Sequence, residues 1–158
     1  MLEWLESTQF SAWVRTELWG WPLALTLHAL GTALVIGFIL IIGLRLFGLF
    51  KLIPYTLLNR LFPVVWAAVV LQFVSGFALW MAKPTRYVAD GAFVLKFSLI
   101  VVGIILTSYS YTTLKREGAS WQAAGAVSSR GIKFVAAAVL VWCAVLVLGR
   151  MTAYLGSI

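Results

Sequence analysis

The sequence predicts an all-α integral membrane protein, a four-helix bundle of spans preceded by an interfacial amphipathic helix. Three observations predict it. Of the 158 residues, 63% are hydrophobic and only 11% charged, whereas a soluble domain carries about 25% charged residues. The apolar residues gather into four long runs, of the kind that crosses a hydrocarbon core about 30 Å thick. Many of the eight Trp, five Tyr and ten Phe stand at the ends of those runs, as aromatic belts do.

Residues 1–20 form the first unit, ahead of the spans, and 21–158 the transmembrane bundle. Phe10, Trp13, Val14 and Leu18 recur at helical spacing, with Glu6, Arg15 and Glu17 largely elsewhere. Thr8 or Ser11 is placed to cap such a helix. It would lie in the interface with its aromatic face down. The opening MLEWLESTQF lacks the basic region and apolar core of a signal peptide, so the first span is expected to stay in the mature chain.

Span one covers about 22–44. Pro22 suits a first turn, where its missing N–H costs nothing. Gly31, Gly37 and Gly43 are read as close-approach points for neighbouring helices. Arg45 marks its end, and Pro54 and Asn59 break the following segment into a short connection. Span two covers about 61–82, with Pro63 in its first turn and Trp66 and Trp80 as interface anchors. Gln72, Ser75 and Gly76 fall at i, i+3 and i+4 and form one polar face. That face must point at other helices, because lipid cannot satisfy an amide. KPTRYVADG (83–91) reads as a loop. Span three covers about 92–114, with Lys96, Gly103, Thr107 and Ser110 on one face and a polar second half, TSYSYTT. Residues 115–133 form the longest hydrophilic stretch, with Ser120 as a possible cap. Span four covers about 134–150 and precedes the tail MTAYLGSI.

The net charge of +7 does not point to nucleic acid. The cations are spread over short segments, where they act as topology signals and contacts for lipid head groups. Arg45, Lys51, Arg60, Lys115, Arg116, Arg130 and Lys133 follow spans one and three. Arg15, Lys83, Arg86, Lys96 and Arg150 lie on the other side. Seven against five places the first group in the cytoplasm and both termini in the periplasm. Cys143 stands alone, which excludes an intrachain disulfide.

Ionisable residues within spans are functional candidates by default. Three qualify, namely His28, Lys96 and Arg150. Up-down order puts all three in the outer half of the bundle, and with Gln72 they are the candidate cofactor-binding residues. One reading is a shallow outward pocket with a cationic mouth, suited to a lipid head group, a quinone ring or the propionates of haem b. The other is structural: Lys96 and Arg150 snorkel to phosphates, and His28 bonds a neighbouring helix. A single histidine excludes bis-histidine haem within one chain, and Met81 and Met151 stand shallower than His28. One His, one Cys and few carboxylates supply no metal cluster. No nucleophile elbow or phosphate loop occurs. Trp142 and Cys143 read as packing residues.

Several segments together, WPLALTLHALGTALVIG, GLRLFGL, LFPVVWA, SGFALW and RYVADGAFVLKFSLIV, carry a likeness. Over roughly residues 2–112 the chain resembles small bacterial four-span membrane proteins designated only as a domain of unknown function. Those are distantly similar to copper-resistance D and cytochrome b561-like four-helix proteins. The matching positions include His28, Gly31, Arg45, Pro63, Gly76 and Lys96. The chain departs from that pattern at Gly43, where Asp is common, and at TSYSYTT, where Asn and His are. The resemblance implies a fold and a bacterial inner-membrane location more than an activity.

The expected role is a non-catalytic subunit or accessory protein of a larger inner-membrane assembly. Its partners would be lipids and either other membrane subunits or further copies of itself. The alternatives are an electron carrier using His28 for haem or quinone, and a small transporter with Lys96 and His28 on the solute path.

Overall fold

A computed structural model describes residues 2–155, with side chains through Met151. The described residues are helical throughout, apart from short turns. Four helices are long and apolar enough to cross a membrane.

The N-terminal unit is two helices rather than one, α1 (Leu2–Glu6) and α2 (Gln9–Thr16). The break falls at Ser7 and Thr8, whose hydroxyls bond back to Trp4 O and Leu5 O. Thr8 then caps α2 by accepting from the Ser11 N–H at 3.3 Å, so the cap is Thr8 and not Ser11. Short polar side chains compete with the backbone in this way and favour helix ends over interiors. Val14 and Ser11 are buried where α2 packs on the helices after it, while Phe10 and Trp13 stay partly exposed.

Helix α3 (Gly20–Leu46) begins two residues before Pro22 and runs 27 residues, about 40 Å. Gly43 lies under Val139, as a close-approach point should, but Gly37 meets nothing within 4 Å. The connection then folds through α4 (Tyr55–Leu58) and a 3-10 turn, Asn59–Leu61. Helix α5 (Phe62–Ala82) follows, with Pro63 in its first turn. The expected loop at 83–91 is largely helical, as α6 (Pro84–Ala89). Pro84 starts that helix instead of breaking it, because a first-turn proline loses no hydrogen bond.

Helix α7 (Gly91–Ala124) is capped by Asp90, which accepts from the Ala92 N–H at 2.9 Å. It overruns the expected end near 114 by ten residues. The hydrophilic stretch holds its helix because one face is anchored. Trp121 is buried beside Gly131, and Gln122 Oε1 accepts from the Tyr55 N–H at 3.1 Å. The helix ends at Gly125 in the left-handed region, φ 68°. Ser120 is therefore interior, bonded to Glu117 O. Helix α8 (Ser129–Leu155) starts earlier than expected, and its first turn is satisfied by Ser128, whose Oγ accepts from the Gly131 N–H at 3.2 Å. The final residues of the expected tail, 156–158, lie outside the described residues, as does Met1.

One core cluster joins Ile42 and Leu46 of α3, Phe62 of α5, Leu114 and Trp121 of α7, and Val135 of α8. These are an end, a start, an end and a start, so consecutive long helices run antiparallel. A second cluster, with Val35, Ile39, Val65, Ala68, Ala138 and Trp142, fills the middle. Helix α3 sits between α5 and α8, and α7 packs chiefly on α8.

At the end that holds the N-terminus, α1 is tied to α6. Glu6 Oε1 accepts from the Thr85 hydroxyl and from its N–H at 3.3 Å. Those hydrogen bonds favour the charged carboxylate and hold it below its ordinary range. A lowered folded pKa stabilises above the ordinary carboxylate range, and the contribution is lost as pH falls through the folded value. The Glu6 titration followed by carbon NMR is therefore expected to move upward in Thr85→Val. An unmoved midpoint would show that the tie does not hold this charge.

Candidate functional site

His28 and Gln72 meet because antiparallel helices match their depths. His28 lies eight residues after the start of α3 (28 − 20), and Gln72 ten before the end of α5 (82 − 72). The Gln72 amide N–H donates to His28 Nε2 at 3.0 Å. That leaves the ring proton on Nδ1, which donates to Ser75 Oγ at 3.2 Å. The Ser75 hydroxyl then donates to Leu71 O at 2.6 Å. Thr32, one turn after His28, completes the set. Its hydroxyl lies 3.0 Å from Gln72 Oε1 and 2.9 Å from His28 O, and its single proton serves one of them at a time. Every nitrogen of the ring and both ends of the amide are engaged.

Two glycines make that contact possible. A Cβ on Gly76 would stand 2.9 Å from His28 Cε1 and 3.3 Å from Nδ1, and one on Gly31 would stand 2.9 Å from Gln72 Oε1. Neither helix has room for a side chain there. The polar face read from Gln72, Ser75 and Gly76 thus turns onto α3, and its partner is the one histidine.

Lys96 lies half-buried on α7 with its amine and terminal methylene against Gly149 of α8. Its charge is within electrostatic reach of the His28 ring. Arg150 is exposed, beside Gly149. The structure therefore joins His28 to Gln72 directly and sets Lys96 nearby on the other helix pair. Tyr87, on the short α6 at the same end, has its hydroxyl pKa pushed up by burial.

The polar half of span three is covered on one face only. Thr107, Ser110 and Thr113 are buried, while Tyr109 and Thr112 are exposed. Thr107 Oγ1 accepts from Trp142 Nε1 at 3.0 Å, so Trp142 both packs and bonds. Among the described residues no group of three or more His, Cys, Asp or Glu side chains could hold a metal ion.

Sequence reasoning missed a second polar centre, at the opposite end. Arg45 is 5% exposed and turns back over its own connection. Its Nε donates to Ile53 O and its Nη1 to the Tyr55 hydroxyl at 2.9 Å, with the guanidinium 3.9 Å above the Tyr55 ring. The available signal was a tyrosine ten residues after an arginine, across a proline-bearing turn. No family model, curated protein or solved structure matches the chain.

Proposed function

We propose that the protein is a small multi-pass membrane protein, with α3, α5, α7 and α8 as spans of a four-helix bundle. We further propose that it serves as a non-catalytic subunit or accessory component of a larger inner-membrane assembly. One observation carries the reading: both ring nitrogens of the single histidine are already bonded to α5. The side chain best suited to ligate or shuttle protons is used to clamp two helices. Interhelical hydrogen bonds of this kind suit a medium without water.

Helix α7 supports the assembly role. Only its face toward α8 is well covered, and Leu95, Phe97, Val101, Val102 and Ile105 remain largely exposed. The charge pattern supports the orientation, with the end of α3 and the α7–α8 turn toward the cytoplasm. That side carries seven cations and Glu117, a sum of +6 (7 − 1). The other carries five cations with Glu3, Glu6, Glu17 and Asp90, a sum of +1 (5 − 4), and the two make up the chain's +7. The cations are the part that sets topology. Membership of the four-span family resembled above is part of this proposal and rests on the quoted segments.

Extraction in mild detergent followed by native mass spectrometry tests the role. The expected result is a complex with at least one further protein subunit and a colourless protomer. A monomer under every mild condition would overturn the subunit reading. A visible haem band that disappears in His28→Ala would replace it with the electron-carrier reading.

A further inference from the structure

Two adjoining hollows lie along α7, away from His28. One, of about 300 Å³, is lined by Ile104, Ile105, Ser108, Tyr109 and Thr112. The other, of about 390 Å³, shares Tyr109 and Thr112 and reaches Arg116 and Glu117 of α7 and Arg130 and Phe134 of α8. The Tyr109 ring stacks on Phe134 at 5.3 Å, where the two hollows join. The lower part is apolar and the upper part cationic.

The cationic part sets two arginines, Arg116 and Arg130, against one acid, Glu117. Glu117 is the nearest acid, but its carboxylate accepts from Trp121 Nε1 at 3.2 Å and from Ser128 Oγ at 2.6 Å. Among the described residues no side-chain hydrogen bond or ion pair engages the Arg116 or Arg130 guanidinium. Arg130 also sits in the first turn of α8, which carries no acidic residue, and Lys133 follows it. The positive end of the helix dipole adds to the Arg130 charge, so an anion there is favoured twice. The twelve steps from Ile104 to Arg116 rise about 18 Å along the helix, comparable with one leaflet of a hydrocarbon core about 30 Å thick.

We propose that this stretch binds an anionic phospholipid, with its phosphate between the Arg116 and Arg130 guanidinium groups and an acyl chain along Ile104, Ile105 and Ser108. The site rests on the membrane-spanning reading given above. It places the lipid in the cytoplasmic leaflet, between α7 and α8.

Native mass spectrometry of the delipidated, detergent-solubilised protein tests it, with phosphatidylglycerol and phosphatidylcholine added in parallel. Phosphatidylglycerol is expected to bind the wild type more tightly. Each cation near a head group is worth about fivefold in affinity, so the double variant Arg116→Gln/Arg130→Gln should lose about 30-fold. Phosphatidylcholine binding should not change. Lys115→Gln/Lys133→Gln, which alters cations outside the hollow, should lose far less, and an equal loss would overturn the site in favour of diffuse attraction. Ser108→Leu, which fills the apolar hollow, should weaken the long-chain lipid but not a short-chain phosphatidylglycerol. Displacement of the long-chain lipid by inorganic phosphate alone would reassign the arginines to a free anion and overturn the lipid. Carbonate washing of membranes is scored first: release of the protein removes the membrane reading and the lipid site together. Retention with flat lipid binding removes the lipid site only.

Discussion

Gly76→Val is expected to destabilise the protein by about 3 kcal/mol in detergent, because no volume exists between α5 and the His28 ring. A Cβ at residue 76 would already stand 2.9 Å from His28 Cε1, and valine adds two methyl groups. Overpacking of that kind costs about 1–3 kcal/mol. The ring must also leave Gln72 and Ser75, and each interhelical bond lost adds about 0.6–1.7 kcal/mol. The check is a thermal unfolding series with His28→Ala and the double variant. Removing the ring opens the space that valine needs, so the double variant should be much less destabilised than the sum of the singles. Strict additivity would mean that Gly76 and His28 do not share a contact. Gln72→Leu separates packing from bonding. It keeps similar bulk but leaves His28 Nε2 without its donor, while the Thr32 hydroxyl keeps His28 O, and about 1–2 kcal/mol is expected.

The parts of the fold legible in the sequence are those set by composition and period. Four apolar runs appear as four long helices, the form in which a hydrocarbon medium would leave every backbone group satisfied. The Gln72, Ser75 and Gly76 face was readable from spacing alone. Its partner, His28, follows only from the helix bounds of the structure, which set the depths of α3 and α5 from their shared end. The helix limits were less readable, for a definite reason. Residues 115–124 are hydrophilic, yet they stay helical because Trp121 and Gln122 reach contacts on α8 and on Tyr55. Those contacts come from segments far along the chain, and no window of local hydropathy contains them. The same holds for α6, where Pro84 reads equally well as a breaker or as a first-turn residue. The N-terminal helix divides because two adjacent hydroxyl residues, Ser7 and Thr8, take their own backbone carbonyls. Periodicity over Phe10 to Leu18 is blind to that competition. Arg45 was legible as a cation at a helix end but not as a buried one. Burial depends on the turn after it, and the turn depends on Arg45.

Arg45→Met is therefore expected to loosen the whole connection from α3 to α5, with a loss of about 3 kcal/mol. The guanidinium is buried without a carboxylate, and its charge is met by Ile53 O, the Tyr55 hydroxyl and the face of the Tyr55 ring. It also lies at the C-terminal end of α3, where the helix dipole favours a cation. Hydrogen bonds to a charged group contribute about 1.5–3 kcal/mol each, and a carbonyl or hydroxyl left buried without its donor costs more than the bond itself. The turn it spans is strained, with Phe50 at φ 50°, a conformation unfavourable for an aromatic residue. Arg45→Lys keeps the charge but cannot reach Ile53 O and Tyr55 together, so it should recover only part of the loss. Tyr55→Phe keeps the ring beneath the cation and removes one acceptor, for about 1 kcal/mol. Limited trypsin digestion reads the local effect. Lys51 is followed by Leu52, which is 99% exposed, and cleavage there requires the turn to open. Arg45→Met should speed cleavage after Lys51 by about tenfold or more, since local opening tracks the free energy of the contacts that close it. Unchanged cleavage together with unchanged unfolding would mean that the turn holds its shape without the arginine.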